Sequence, residues 1–224
     1  MIAAWMDSTN LKPEAKWEDI KILCEEAVYY GMTAVCIHPS RLTLGKGYLA
    51  GSRVKLCTVI GFPLGAEDRA TKVFSARQAL GQGASELDMV INIGAVKDRN
   101  FALIKQEVKS ILEFKQDYDF LLKVIVETAL LDRTELEMLS QLVSDSGADY
   151  IKTSTGFSTR GVNLEDIKII KAHKSESLKI KASGGVRSLD FALQLIDAGV
   201  DRIGSSNAAA LVQEYRQRGG LVKG

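Results

Sequence analysis

The chain has 224 residues, 46% of them hydrophobic, and a formal net charge of +1. That length fits one α/β barrel or two small domains, and the near-balance of charge lacks the basic footprint of a nucleic-acid binder. No apolar run is long enough to cross a bilayer, so neither nucleic acid nor membrane is an expected partner.

The chain alternates short apolar runs with longer amphipathic ones. A strand over residues 2–6 ends at Asp7. Lys12-Pro13 then leads into a helix over 14–30, in which Ile20, Leu23, Cys24 and Ala27 share one face and Gly31 is the stop. A strand over 33–38 runs to Pro39, a short helical or turn region covers 40–49, and a strand over 54–60 enters Gly61-Phe62-Pro63-Leu64-Gly65. A helix over 69–80 follows. The next strand, 85–91, ends near Asn92 and is followed by a helix over 101–115. Strand 120–126 ends at Glu127, and helix 134–144 leads to strand 150–152. Helix 164–172, strand 178–181, helix 189–197, strand 200–203 and helix 207–216 complete the series.

An internal echo supports this reading. Gly83-Ala84-Ser85-Glu86-Leu87-Asp88, Gly147-Ala148-Asp149-Tyr150-Ile151-Lys152 and Gly199-Val200-Asp201-Arg202-Ile203-Gly204 each close a helix with glycine and start a strand at once. Strand–helix units joined by short loops imply a parallel sheet. Eight of them close most simply into a single-domain TIM (β/α)8 barrel spanning residues 1–224. An open doubly wound sheet is the alternative, weakened by the lack of a glycine-rich nucleotide loop.

Cys24, Cys36 and Cys57 are an odd count without paired spacing, which reads as free thiols in a reducing compartment. The N-terminus has no basic leader or cleavage pattern, so the expected location is cytoplasmic. With only His38 and His173, a histidine triad or metal site is poorly supplied, and no metal or cofactor is expected.

Barrel enzymes work at the C-terminal ends of their strands. Those ends carry Asp7, His38, Asn92, Glu127, Lys152, Lys181 and the turn after Gly204. Alternation groups Asp88 with Val90 and Asn92, Lys123 with Ile125 and Glu127, and Lys179 with Lys181. Charges inside a barrel are costly unless paired, so Lys123 reads as a structural partner of Asp88. Lys152 and Lys181 invite more. Each closes an apolar run before a Gly/Ser turn, on strands that are neighbours. Two ammonium groups about 4 Å apart repel by about 4 kcal/mol at an effective dielectric near 20. This favours a free amine on one of them, able to attack a carbonyl. The plainer alternative is a lysine that snorkels from a strand end. Ser183-Gly184-Gly185-Val186-Arg187 and Gly204-Ser205-Ser206-Asn207 follow adjacent strands, where barrels bind phosphate on backbone N–H groups. Arg187 can add a charge-assisted contact.

Five stretches resemble the deoxyribose-phosphate aldolase family, in that family's order and over almost the whole chain. They are Asp7-Ser8-Thr9-Asn10-Leu11-Lys12-Pro13, Val59-Ile60-Gly61-Phe62-Pro63-Leu64-Gly65, Glu86-Leu87-Asp88-Met89-Val90-Ile91-Asn92, Lys152-Thr153-Ser154-Thr155-Gly156-Phe157 and Lys181-Ala182-Ser183-Gly184-Gly185-Val186-Arg187. The resemblance implies a class I aldolase that reversibly cleaves 2-deoxy-D-ribose 5-phosphate to D-glyceraldehyde 3-phosphate and acetaldehyde. It implies Lys152 as the Schiff-base lysine, Lys181 as the group that keeps that amine deprotonated and relays protons, and Asp88 as the general acid/base acting through a water. Gly156, Gly184, Gly185, Arg187, Gly204, Ser205 and Ser206 would hold the phosphate. A homodimer or higher homo-oligomer is the expected assembly. Where some members carry a lysine or arginine after the Lys-Thr-Ser-Thr-Gly run, this chain has Phe157, which leaves charge neutralisation mainly to Arg187. Some members end in a tail tyrosine that assists proton transfer, whereas the last tyrosine here is Tyr215, inside a predicted helix.

Overall fold

A computed structural model describes residues 2–220. Its centre is a closed barrel of eight parallel strands in sequential order. The strands are β1 (Met6–Asn10), β2 (Ala34–Ile37), β3 (Lys55–Ile60), β4 (Glu86–Val90), β5 (Leu121–Ile125), β6 (Tyr150–Lys152), β7 (Lys179–Ser183) and β8 (Arg202–Ser205). Around them lie α1 (Trp17–Tyr30), α2 (Leu42–Tyr48), α3 (Arg69–Gly81), α4 (Ile93–Lys97), α5 (Phe101–Leu112), α6 (Arg133–Ser146), α7 (Leu164–His173), α8 (Leu189–Asp197) and α9 (Ala208–Gln217). The expected (β/α)8 architecture is therefore present, and the tail residues 221–224 lie outside the described range.

The helices hold their places by burying one face against the strands. Ile20, Leu23, Cys24 and Ala27 are the buried residues of α1, the same four that the periodicity groups. Leu136, Leu139 and Val143 of α6, and Ile167 and Ile170 of α7, do the same elsewhere in the ring. Each such aliphatic side chain contributes about 1.5–3 kcal/mol on burial. Local signals fix the helix ends. Asp132 Oδ1 accepts from Glu135 N at 2.8 Å while Asp132 N donates to Glu135 Oε2 at 2.8 Å, closing a capping box on α6.

Three boundaries depart from expectation in ways that bear on the interior. Residues 2–5 form a 3-10 helix, and β1 instead spans Met-Asp-Ser-Thr-Asn. A polar run forms this strand because both its edges are paired, Asp7 with Ala34 on one side and with Gly204 on the other. Its inward carboxylate meets cations. Asp7 is thus inside the barrel, not at a strand end. Second, β7 and β8 each run two residues further than expected, so Ser183, Gly204 and Ser205 lie on strands rather than in turns. Third, Asn92 caps a short helix that the apolar pattern missed, with Oδ1 accepting from Ala95 N at 3.0 Å.

Candidate active site

The barrel interior is charged where most such barrels are filled with branched apolar side chains. Asp7, Glu86, Asp88, Lys123, Lys152, Lys181 and Arg202 are all buried and joined by ion pairs. At the lower end Arg202 donates from Nε to Asp7 Oδ1 at 2.7 Å and from Nη2 to Glu86 Oε2 at 2.8 Å. Its guanidinium lies 5.9 Å from the Tyr150 ring centroid. Lys123 bridges upward, 2.6 Å from Glu86 Oε2 and 2.8 Å from Asp88 Oδ1. The pairing of Lys123 with Asp88 across neighbouring strands is the structural bridge that alternation suggests.

Asp88 is the junction. Its Oδ2 accepts from Lys152 Nζ and from Lys181 Nζ, each at 2.7 Å. Lys152 and Lys181 are direct partners in the β6–β7 register, so both amines face one interior and converge on one oxygen. Lys181 also reaches Asp7 Oδ2 at 2.6 Å. Burial alone would raise the Asp88 pKa, but Lys123, Lys152 and Lys181 outweigh it and hold the carboxyl well below the ordinary value. Burial likewise favours the neutral form of Lys181, yet Asp7 and Asp88 reverse this and raise its pKa. Lys181 thus stands beside Lys152 as a cation paired with two carboxylates.

Above this network the strand ends open into a cavity of about 200 Å³. Lys152 lines it; Lys181 and Asp88 lie beneath. The walls include Gly156 after β6, Gly184, Gly185 and Arg187 after β7, and Gly204, Ser205 and Ser206 at the end of β8. The predicted binding residues thus share one cavity with the predicted nucleophile. The glycines have physical reasons to be there. Gly184 adopts φ +80°, and a Cβ on it would fall 2.9 Å from Gly161 Cα. A Cβ on Gly204 would stand 3.2 Å from Lys181 Cε, so the glycine leaves Lys181 room that any other residue would crowd.

Other strand-end residues have structural partners. His38 Nε2 lies 2.9 Å from Leu11 O. Lys179 is exposed at the N-terminal end of β7, its Nζ 5.8 Å from the Tyr150 ring centroid, and takes no part in the network. Glu127, at φ +54°, turns back from β5 so that Oε2 accepts from both Thr155 N and Thr155 Oγ1, fixing a cavity wall. Lys12 lines the same cavity; in the sequence it stands within the Asp7–Pro13 stretch and leads into a helix, with no binding role assigned to it. Among the described residues Cys36, Cys57 and Asp88 bring potential ligand atoms within 4.8 Å of one another. Lys123 Nζ already lies 3.5 Å from Cys57 Sγ and 2.8 Å from Asp88 Oδ1, a crowding of positive charge that opposes a divalent cation.

A family model described as DeoC/LacD family aldolase matches residues 2–213. The chain belongs to the DeoC/LacD family of aldolases. A deoxyribose-phosphate aldolase of Clostridioides difficile is 47% identical over 208 residues, 93% of this chain and 94% of that one. Its counterpart in Thermococcus gammatolerans is 44% identical over 217 residues, 96% of each chain. Among solved structures, an aldolase called QR15 superposes with a TM-score of 0.92 at 36% identity and covers 99% of both chains. A tetrameric deoxyribose phosphate aldolase of Aeropyrum pernix gives 0.89 at 33% identity, covering 97% of this chain and 92% of that one. No helix among the described residues is long and apolar enough to cross a membrane.

Proposed function

We propose that this aldolase reversibly cleaves 2-deoxy-D-ribose 5-phosphate to D-glyceraldehyde 3-phosphate and acetaldehyde through a Schiff base on Lys152. One observation carries the assignment of the nucleophile: Lys152 is the member of the buried ion network that also lines the cavity. The network joins four cations to three carboxylates, leaving one positive charge in excess. Lys152 is the one of these four cations that lines the cavity.

In this reading the free amine of Lys152 attacks C1 of the open-chain sugar, and water leaves as the imine forms. The C3 hydroxyl then gives up its proton and the C2–C3 bond breaks. Its electron pair moves toward the iminium nitrogen, leaving an enamine of acetaldehyde and releasing glyceraldehyde 3-phosphate. Protonation at C2 and hydrolysis free acetaldehyde and restore Lys152. Asp88 moves protons through a water at the base of the cavity, and Lys181, paired with Asp7 and Asp88, favours the uncharged amine and relays protons. Gly156, Gly184, Gly185, Arg187, Gly204, Ser205 and Ser206 receive the phosphate on backbone N–H groups, hydroxyls and one guanidinium. The proposed location is cytoplasmic, and the proposed assembly is a homodimer or higher homo-oligomer, to be checked by light scattering.

The test is a retro-aldol assay with and without a chelator, comparing 2-deoxy-D-ribose 5-phosphate with longer phosphosugars. Acetaldehyde release from the deoxy sugar, undiminished by chelation, is expected. Turnover restricted to longer sugars would point to another lysine-dependent aldolase. Phosphate binding without turnover would point to a non-catalytic barrel.

A further inference from the structure

The cavity wall contains three cations, Lys12, Lys152 and Arg187, and no carboxylate. Lys152 is paired below with Asp88. Lys12 and Arg187 have no ion-pair partner among the described residues, and both are exposed at the mouth. Unpaired cations are ordinary on a surface; two of them over a glycine-lined hollow without a neutralising acid are not. The chain also fixes where Lys12 stands. Lys12 N donates to Asn10 Oδ1 at 3.2 Å, and Lys12 O accepts from Ala15 N at 3.1 Å, so a tight turn holds the residue. Just before it, Leu11 is buried and its carbonyl lies 2.9 Å from His38 Nε2. The residue thus leaves the end of β1, next to β8, whose Ser205 is in register with Ser8. Ser205 and Ser206 share the cavity wall with it.

Phe157 also lines the cavity, half-exposed and packed edge-to-face on Phe62 at 5.3 Å between ring centroids. That residue supplies no charge. A phosphate monoester carries about −1.5 to −2 at neutral pH, so Arg187 alone would leave much of it unbalanced. We propose that Lys12 is the second cation of the phosphate subsite, reaching from the β1 side to the group that Arg187 and the β7 and β8 turns hold from the other. Lys12 thereby sets the preference for a phosphorylated over an unphosphorylated sugar. This deepens the proposed function and rests on it for the identity of the substrate.

The test compares kcat/KM for 2-deoxy-D-ribose 5-phosphate with that for 2-deoxy-D-ribose, in the full chain and in Lys12→Met and Lys12→Glu. Loss of one charge-assisted contact predicts a fall of about tenfold in that ratio for Lys12→Met, carried by KM for the phosphorylated sugar. A further fall is expected for Lys12→Glu. In the Lys12→Met background, Phe157→Lys returns a cation to the cavity lining and should raise the ratio again. A ratio unchanged in Lys12→Met, or equal in the Met and Glu variants, overturns the proposal, as does a Phe157→Lys variant that leaves the ratio where it fell. Calorimetric titration with inorganic phosphate reads the same site without turnover. About tenfold weaker binding in Lys12→Met supports it, and unchanged binding refutes it, even if neither sugar is cleaved and the proposed reaction itself has failed.

Discussion

Arg202 and Lys152 are both cations inside one barrel, and both bind carboxylates at 2.8 Å or less. Arg202 is enclosed by Asp7, Glu86 and the Tyr150 ring. Lys152 has Asp88 below and the cavity above. The lower region is saturated: burial works against the Arg202 charge, but Asp7 and Glu86 outweigh it and raise its pKa. The upper region is left one partner short. A buried charge network is weak as a source of net stability, but it can fix the position and charge of a few atoms. Here it fixes Asp88 Oδ2 and Lys181 Nζ beneath an amine that faces an open space.

Substitutions in the two regions should therefore fail in different ways. The largest expected effect on rate is from Lys152→Met, which should reduce retro-aldol turnover to background while circular dichroism still reports a folded barrel. Substantial residual turnover would break the comparison. Asp88→Asn should follow, with kcat lowered about 10²–10⁴-fold, the range for loss of a positioned acid/base. Arg202→Met should act on stability, since it removes one of the two cations that pair with each of the buried carboxylates Asp7 and Glu86. A loss of about 3–5 kcal/mol in denaturant unfolding is expected, with the surviving folded enzyme keeping its KM. A Lys152→Met variant destabilised as much as Arg202→Met would erase the distinction between the regions.

The pH dependence of stability should show the same network. Asp7 and Asp88 titrate lower in the folded chain than unfolded, because burial is outweighed by Lys181, Arg202 and Lys123 at Asp7 and by Lys123, Lys152 and Lys181 at Asp88. Their contribution is present above the ordinary carboxylate value, about 3.9, and is lost as pH falls through the lower folded values. Lys181 titrates higher when folded, so its contribution is present below the ordinary lysine value, about 10.4, and is lost only as pH rises through the folded one. Thermal unfolding should therefore change little from these groups between about pH 5 and 9 and weaken below about pH 4. A smaller effect is expected from Arg187→Ala, which should raise KM for the phosphorylated sugar about tenfold and leave kcat within about twofold.

The architecture is legible because the outer layer obeys simple rules: an apolar face on the helices and, at Gly31, Gly51, Gly83, Gly147 and Gly199, a glycine between a helix and the following strand. The interior is legible only in part, for the same reason that it is unusual. Met-Asp-Ser-Thr-Asn does not look like a strand, because strand propensity expects apolar side chains and this barrel turns a carboxylate inward. Asn92 was read as a working residue at a strand end because its side-chain cap depends on a five-residue helix too short to show a period. Lys152 and Lys181 stand out in sequence as lysines closing apolar runs, and Asp88 through strand alternation and the motif around it. Lys12 does not, since an exposed lysine before a helix looks like any other. Its meaning comes from the cavity it lines.

The most direct test of the central claim is borohydride reduction in the presence of acetaldehyde, followed by peptide mapping by mass spectrometry. The account predicts one reduced adduct, on the peptide carrying Lys152, absent from Lys152→Met. An adduct on Lys181 or Lys123, or activity with no trapped adduct at all, would contradict it.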